Sequence, residues 1–92
     1  MADPLSLCSA LATEIREVRA MIEGLADVLA SDEYLAQTYL EQLQMFDLLA
    51  QRTTESADLL DRLASGMGGH DAVDQVRLEL MQHRLRDMLK AA

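Results

Sequence analysis

The feature that most limits how this chain can fold is a stretch of some 34 residues, Asp32 to Ser65, that contains neither Gly nor Pro and keeps one apolar register throughout. Ala36, Tyr39, Leu43, Phe46, Ala50, Thr53, Ala57, Leu60 and Ala64 follow in alternating steps of three and four, the spacing of one helical face. Leu35, Leu49 and Leu63 widen that face. The pattern predicts one helix over 32–65, roughly 50 Å long at about 1.5 Å per residue. Such a rod is about twice the diameter of a compact domain of this size, so a single helical hairpin cannot wrap its own seam.

The segment before it supplies the other arm. Asp3 followed by Pro4 is a helix start, because the carboxylate caps free amides and Pro suits the first helical position. Leu7, Leu11, Ile15, Val18, Ile22, Leu25 and Leu29 then read as one apolar stripe supported by Met21 and Val28. Glu14, Arg16, Glu17, Arg19, Glu23 and Asp27 fall mostly off it and are expected in solvent. Gly24 is read as a site of close helix approach. At Ala30-Ser31-Asp32-Glu33 a capping residue followed by acids marks a tight turn, so residues 1–65 form a long antiparallel hairpin.

Gly66-Met67-Gly68-Gly69-His70 reads as a flexible connector over 66–70, after which Asp71 is expected to cap an amphipathic helix within 71–92. Arg77, Arg84, Arg86 and Lys90 lie in that last piece, whereas the middle helix is acidic. The fold class is therefore all-α: a hairpin plus a C-terminal helix folding back on it, in a single domain. Association of two hairpins into a dimeric four-helix-type bundle is the expected way to cover the seams. The helix-forming composition agrees, half apolar but with only Tyr34, Tyr39 and Phe46 aromatic.

A formal net charge of −8 disfavours nucleic acid and anionic membrane surfaces as partners. No apolar run has membrane-span length and the amino terminus has no basic signal region, so a cytoplasmic location is expected. Cys8 is the single cysteine and is expected to pack as a small apolar residue. His70 and His83 show no helical ligand spacing, so no metal or other cofactor of the chain's own is expected.

On the face of 32–65 turned away from the seam the register places Gln37, Leu40, Glu41, Gln44, Asp47, Leu48, Gln51, Glu55 and Asp58. Asp47 and Gln51, four residues apart, share one side one turn apart, with an apolar Leu48 between them where a solvated helix is ordinarily polar. This outer face, with Gln44, Leu48 and Glu55, is the expected partner-contact surface. The alternative is an ordinary solvated helix face.

Asp47-Leu48-Leu49-Ala50-Gln51 resembles the Asp-Leu-x-x-Gln signature of the CheZ family and its shorter CheT-like relatives, phosphatases of phosphorylated chemotaxis response regulators in two-component signalling. The resemblance implies that Asp47 engages the active-site lysine of the regulator's receiver domain. It also implies that Gln51 enters that active site and orients the attacking water, with Mg²⁺ supplied by the partner. Two other readings stand beside it. One is a noncatalytic helical adaptor. The other rests on His83-Arg84-Leu85-Arg86, which resembles a fragment of the histidine-kinase phosphoacceptor box; there Arg84 replaces the usual acid and no downstream Pro follows.

Overall fold

A computed structural model describes residues 3–91; residues 1, 2 and 92, the outer ends of the two segments expected from sequence, lie outside it. Five helices and no strand make up the described chain. Helix α1 (Pro4–Ala30) begins at Asp3, whose carboxylate accepts from the Ser6 amide at 2.8 Å, with Pro4 in the first helical turn. Ser31 closes α1 through its amide and the Asp27 carbonyl, and Asp32 opens α2 (Glu33–Thr38) by accepting from the Leu35 amide at 3.0 Å. The chain then returns along α1 as α3 (Leu40–Ala64).

Polar links across the hairpin give its direction. Arg16 reaches Asp61 at 2.6 Å and Asp58 at 3.0 Å, while Arg19 Nη1 donates to Thr54 Oγ1 at 3.1 Å, so numbers rise along α1 as they fall along α3. The hydrogen bond that Arg16 donates to Asp61, followed by the one it donates to Asp58, holds its guanidinium above its ordinary pKa range. These groups are partly exposed, and pairs of this kind add at most about 1 kcal/mol each.

The expected single helix over 32–65 is broken at Tyr39, whose backbone (φ −112°, ψ 30°) leaves the helical range. Thr38 and Tyr39 are both weak helix formers, and Tyr39 is 41% exposed, so packing does not hold the junction in line. Below the break the seam is as read at Leu43, Phe46, Ala50, Thr53, Leu60 and Ala64, half-buried, and at Ala57, fully buried, but Leu49, read as widening it, is 40% exposed.

Helix α1 corrects the reading of one apolar stripe. Its inward line is Cys8, Ala12, Ile15, Arg19, Ile22, Ala26 and Leu29, all buried or half-buried. Leu7, Leu11, Val18, Met21, Leu25 and Val28 lie one residue earlier in each step and are exposed. Gly24 mediates no close approach either, since a Cβ there would meet nothing within 4 Å.

After α3 the chain turns at Gly66, φ +95°, with the Gly66 amide bonded to the Leu63 carbonyl and the Met67 amide to the Arg62 carbonyl. This is a Schellman motif, which satisfies the last carbonyls of α3 and needs a left-handed residue at its centre. Gly69 and His70 do not belong to a connector; they begin α4 (Gly69–Asp74), with Gly68 rather than Asp71 at its cap. The expected long last helix is interrupted at 75–78 before α5 (Glu79–Ala91). There Val73 and Val76 bury together, and the Arg77 amide, which in a continuing helix would bond the Val73 carbonyl, donates instead to Glu55 at 2.8 Å.

The C-terminal pair is held by side chains closing helix ends. Arg62 on α3 donates Nε and Nη2 to the Ala72 carbonyl at 3.0 and 2.7 Å. Gln82 on α5 donates to the Val73 and Asp74 carbonyls, and Arg86 bonds the Asp74 carboxylate at 2.7 Å. These donors add to the backbone bonds that the Ala72 and Val73 carbonyls take from the Gln75 and Val76 amides, and give the Asp74 carbonyl a donor at the end of α4. The C-terminal segment folds back onto α3 as a bent pair of helices. Among the described residues, no helix is long and apolar enough to cross a membrane.

Candidate functional site

Helix α3 sets the spacing of the candidate pair and the flank of the hairpin sets its surroundings. Asp47 and Gln51 are both exposed, one turn apart on α3, which places their Cβ atoms about 6 Å apart. Both line one open cleft of about 540 Å³. Its walls come from three parts of the chain: Arg19 and Glu23 on α1; Asp47, Ala50, Gln51, Thr54 and Glu55 on α3; Arg77 and Leu78 between α4 and α5.

The cleft carries charges of both signs. On one wall Arg19 Nε is paired with Glu23 at 2.6 Å while its Nη1 holds Thr54. On the other, Arg77 keeps most of its side chain in solvent with its guanidinium 3.4 Å from Glu55. Asp47 and Gln51 have no hydrogen bond to another side chain among those found in the described residues, so a carboxylate acceptor and a carboxamide donor and acceptor stand free beside two tethered cations. The arrangement can engage a partner's cation through Asp47 and both donate to and accept from a polar group or water through Gln51.

The remaining members of the expected contact face separate. Gln44 is exposed on the same side as Asp47. Leu48, 47% exposed, opens instead onto a second hollow of about 270 Å³ lined by Arg52, Leu78, Glu79, Leu80, Met81 and Arg84. Glu55 is a correction: it is 5% exposed rather than on the outer face, and its carboxylate is taken up by the Arg77 amide and guanidinium at the wall of the cleft. Asp58 likewise turns to Arg16. The register of α3 alone carries no information about which groups of another segment reach it: Arg77 of the later break takes Glu55, and Arg16 of α1 takes Asp58.

Sequence reasoning missed Arg19, Thr54 and Arg77 as cleft residues. Arg19 had a signal, because it falls in the inward line between Ile15 and Ile22, where a cation needs a reason to be. Arg77 had none, since its place depends on the break at 75–78. His83 is exposed on the 13-residue α5 and His70 is exposed in the first turn of α4, so they share no site. Cys8 is half-buried on the inward line of α1. Among the described residues no three His, Cys, Asp or Glu side chains come together as a metal site. Comparison of the chain with protein-family models, curated proteins and solved structures returns no match.

Proposed function

We propose that the chain binds a phosphorylated receiver domain of a response regulator and promotes hydrolysis of its aspartyl phosphate, in the manner of the CheZ-like phosphatases that Asp47-Leu48-Leu49-Ala50-Gln51 resembles. One observation carries the reading: Asp47 and Gln51 stand unpaired and exposed, one turn apart, at an open cleft. In this reading Asp47 meets the receiver's active-site lysine and Gln51 enters the partner's site. Its carboxamide accepts from the attacking water and donates to a neighbouring oxygen, fixing the water in line with phosphorus. The water oxygen bonds to phosphorus as the bond to the aspartyl oxygen breaks; inorganic phosphate leaves with the water's proton and the carboxylate is regenerated. Mg²⁺ belongs to the receiver, and the chain brings no cofactor of its own to the reaction.

One positioned polar group of this type contributes on the order of 3 kcal/mol, about a hundredfold in rate. Phosphate release from a set of phosphorylated receivers is therefore expected to accelerate with the native chain and to fall by about a hundredfold with Gln51→Ala. Equal release with and without the native chain across the set would contradict the proposal.

A noncatalytic adaptor is the second reading, favoured by the hollow beside Leu48, where exposed Leu48 and Leu80 lie between Arg52 and Arg84. Apolar contact with two cations and one carboxylate, Glu79, at its edge suits a partner surface of net acidic character. Receiver binding without acceleration, weakened by Leu48→Asp, would select it.

A further inference from the structure

The monomer leaves far more surface uncovered than a chain of its size should. Its accessible surface is 6641 Å², against about 5,300 Å² expected for a folded monomer of 10.2 kDa. The excess of about 1,300 Å² exceeds the roughly 800 Å² that each partner contributes to a standard protein interface. Its radius of gyration is 15.9 Å, against about 12 Å expected for a compact domain of this length. The core is correspondingly thin. Among the described residues the buried apolar side chains are Ala12, Ala57, Ala72, Val73, Val76 and Met81, with no Leu, Ile or Phe among them.

The longest continuous run of uncovered apolar side chains lies along one side of α1, with further exposed ones at Tyr34, Leu40, Met45, Leu48, Leu80 and Met88. Leu7, Leu11, Val18, Met21, Leu25 and Val28 range from 44% exposed at Leu11 to 70% at Met21, and together they run the length of the helix. Exposed alone, a continuous stripe of this kind marks an interface. We propose that it is covered by a second copy of this chain, the two α1 helices lying antiparallel about a twofold axis at Val18.

Two features choose this occupant and this direction. Positions 7, 11, 18, 25 and 28 are symmetric about 18 to within one residue, so these five have apolar counterparts: Leu11 meets Leu25 of the second copy, Leu7 meets its Val28, and Val18 meets Val18. Glu14 is the one charge within the stripe. A parallel pair would set Glu14 against Glu14, whereas the antiparallel pair sets each against Met21 and holds the two carboxylates about 12 Å apart along the axis.

The association leaves the candidate site open. Of the cleft residues on α1, Glu23 is two residues from both Met21 and Leu25 and lies roughly 160° around the helix from each, and Arg19 lies roughly 100° from Val18 on the side facing α3. A dimer built this way presents two clefts. The inference stands apart from the phosphatase proposal, and neither depends on the other.

Sedimentation equilibrium of the native chain is expected to give twice 10.2 kDa. Val18→Asp, which sets two carboxylates face to face on the axis, is expected to raise the dimer dissociation constant about a hundredfold or more. Leu80→Asp on α5 should leave it unchanged. In a Cys8→Ser background, Val18→Cys should oxidise to a covalent dimer while Met21→Cys should not, a result that loss of folding cannot imitate. A native monomer at about a hundred times the concentration of ordinary dimer dissociation near 1 μM, an unaltered dimer with Val18→Asp, or crosslinking through position 21 in place of 18 would each overturn the proposal.

Discussion

Two glycines in this chain have opposite reasons for being there. Gly66 holds the left-handed centre of the turn that ends α3, with φ +95°, so Gly66→Ala places a Cβ in a backbone region that costs about 1 kcal/mol or more. Gly24 sits in a helical turn of α1 with open space around its missing side chain, so Gly24→Ala is expected to add up to about 1 kcal/mol. Thermal denaturation should show the first melting several degrees lower and the second several degrees higher, about 4–8 °C per kcal/mol for a domain of this size. Equal shifts of one sign would show that backbone preference is not what distinguishes them. Asp3 is legible as a cap because capping is decided within three residues. At the turn the cap falls on Asp32, one residue beyond the Ser31 that the capping residue followed by acids points to, with Ser31 closing α1 instead. The burial of Glu55 is not legible, because it is decided by Arg77, 22 residues further on.

At the scale of elements, α1, the turn at Ser31-Asp32 and most of α3 follow from periodicity, and the pairing of α1 with α3 follows from the turn between them. What periodicity could not separate is the two adjacent lines on α1. Both are apolar and one residue apart, and only the position of α3 makes Ile15, Ile22 and Leu29 inward and Val18, Met21 and Leu25 outward. The breaks at Tyr39 and 75–78 were illegible for a related reason: neither contains Gly or Pro, and the second is fixed by the exchange of a helical hydrogen bond for one to Glu55. The α4–α5 pair therefore depends on a few long-range polar contacts. Glu55→Ala, which leaves the part-buried Arg77 amide without its acceptor, should cost about 1–3 kcal/mol, and Arg62→Ala, which leaves the Ala72 carbonyl only its longer bond from the Gln75 amide, about 1 kcal/mol. Amide exchange is the sharper readout, with protection lost in α4 and α5 before α1 and α3. Uniform loss along the chain would mean that the C-terminal pair is not a separate unit.

The whole molecule is a plate of 48 × 30 × 17 Å: a helical hairpin with a short helical pair folded over the distal part of α3. Its flanks differ in chemistry. One carries Arg16, Arg19 and Glu23 against Asp61, Asp58 and Thr54, with Asp47 and Gln51 beside them, while the outer line of α1 is apolar from Leu7 to Val28. The sequence carried the Asp47 and Gln51 pair because four residues on a helix is a local relation. The cleft around it, with Arg19 and Arg77 as walls, was not readable from any local spacing.

The proposed activity rests on what one carboxamide does that a carboxylate cannot, since Gln51 both donates and accepts whereas Glu only accepts. The most direct test is the single-turnover dephosphorylation rate of a cognate phosphorylated receiver, saturated with either the native chain or Gln51→Glu at matched helicity and measured binding. A fall of about a hundredfold with binding retained is the predicted result. An undiminished rate with Gln51→Glu would contradict the account.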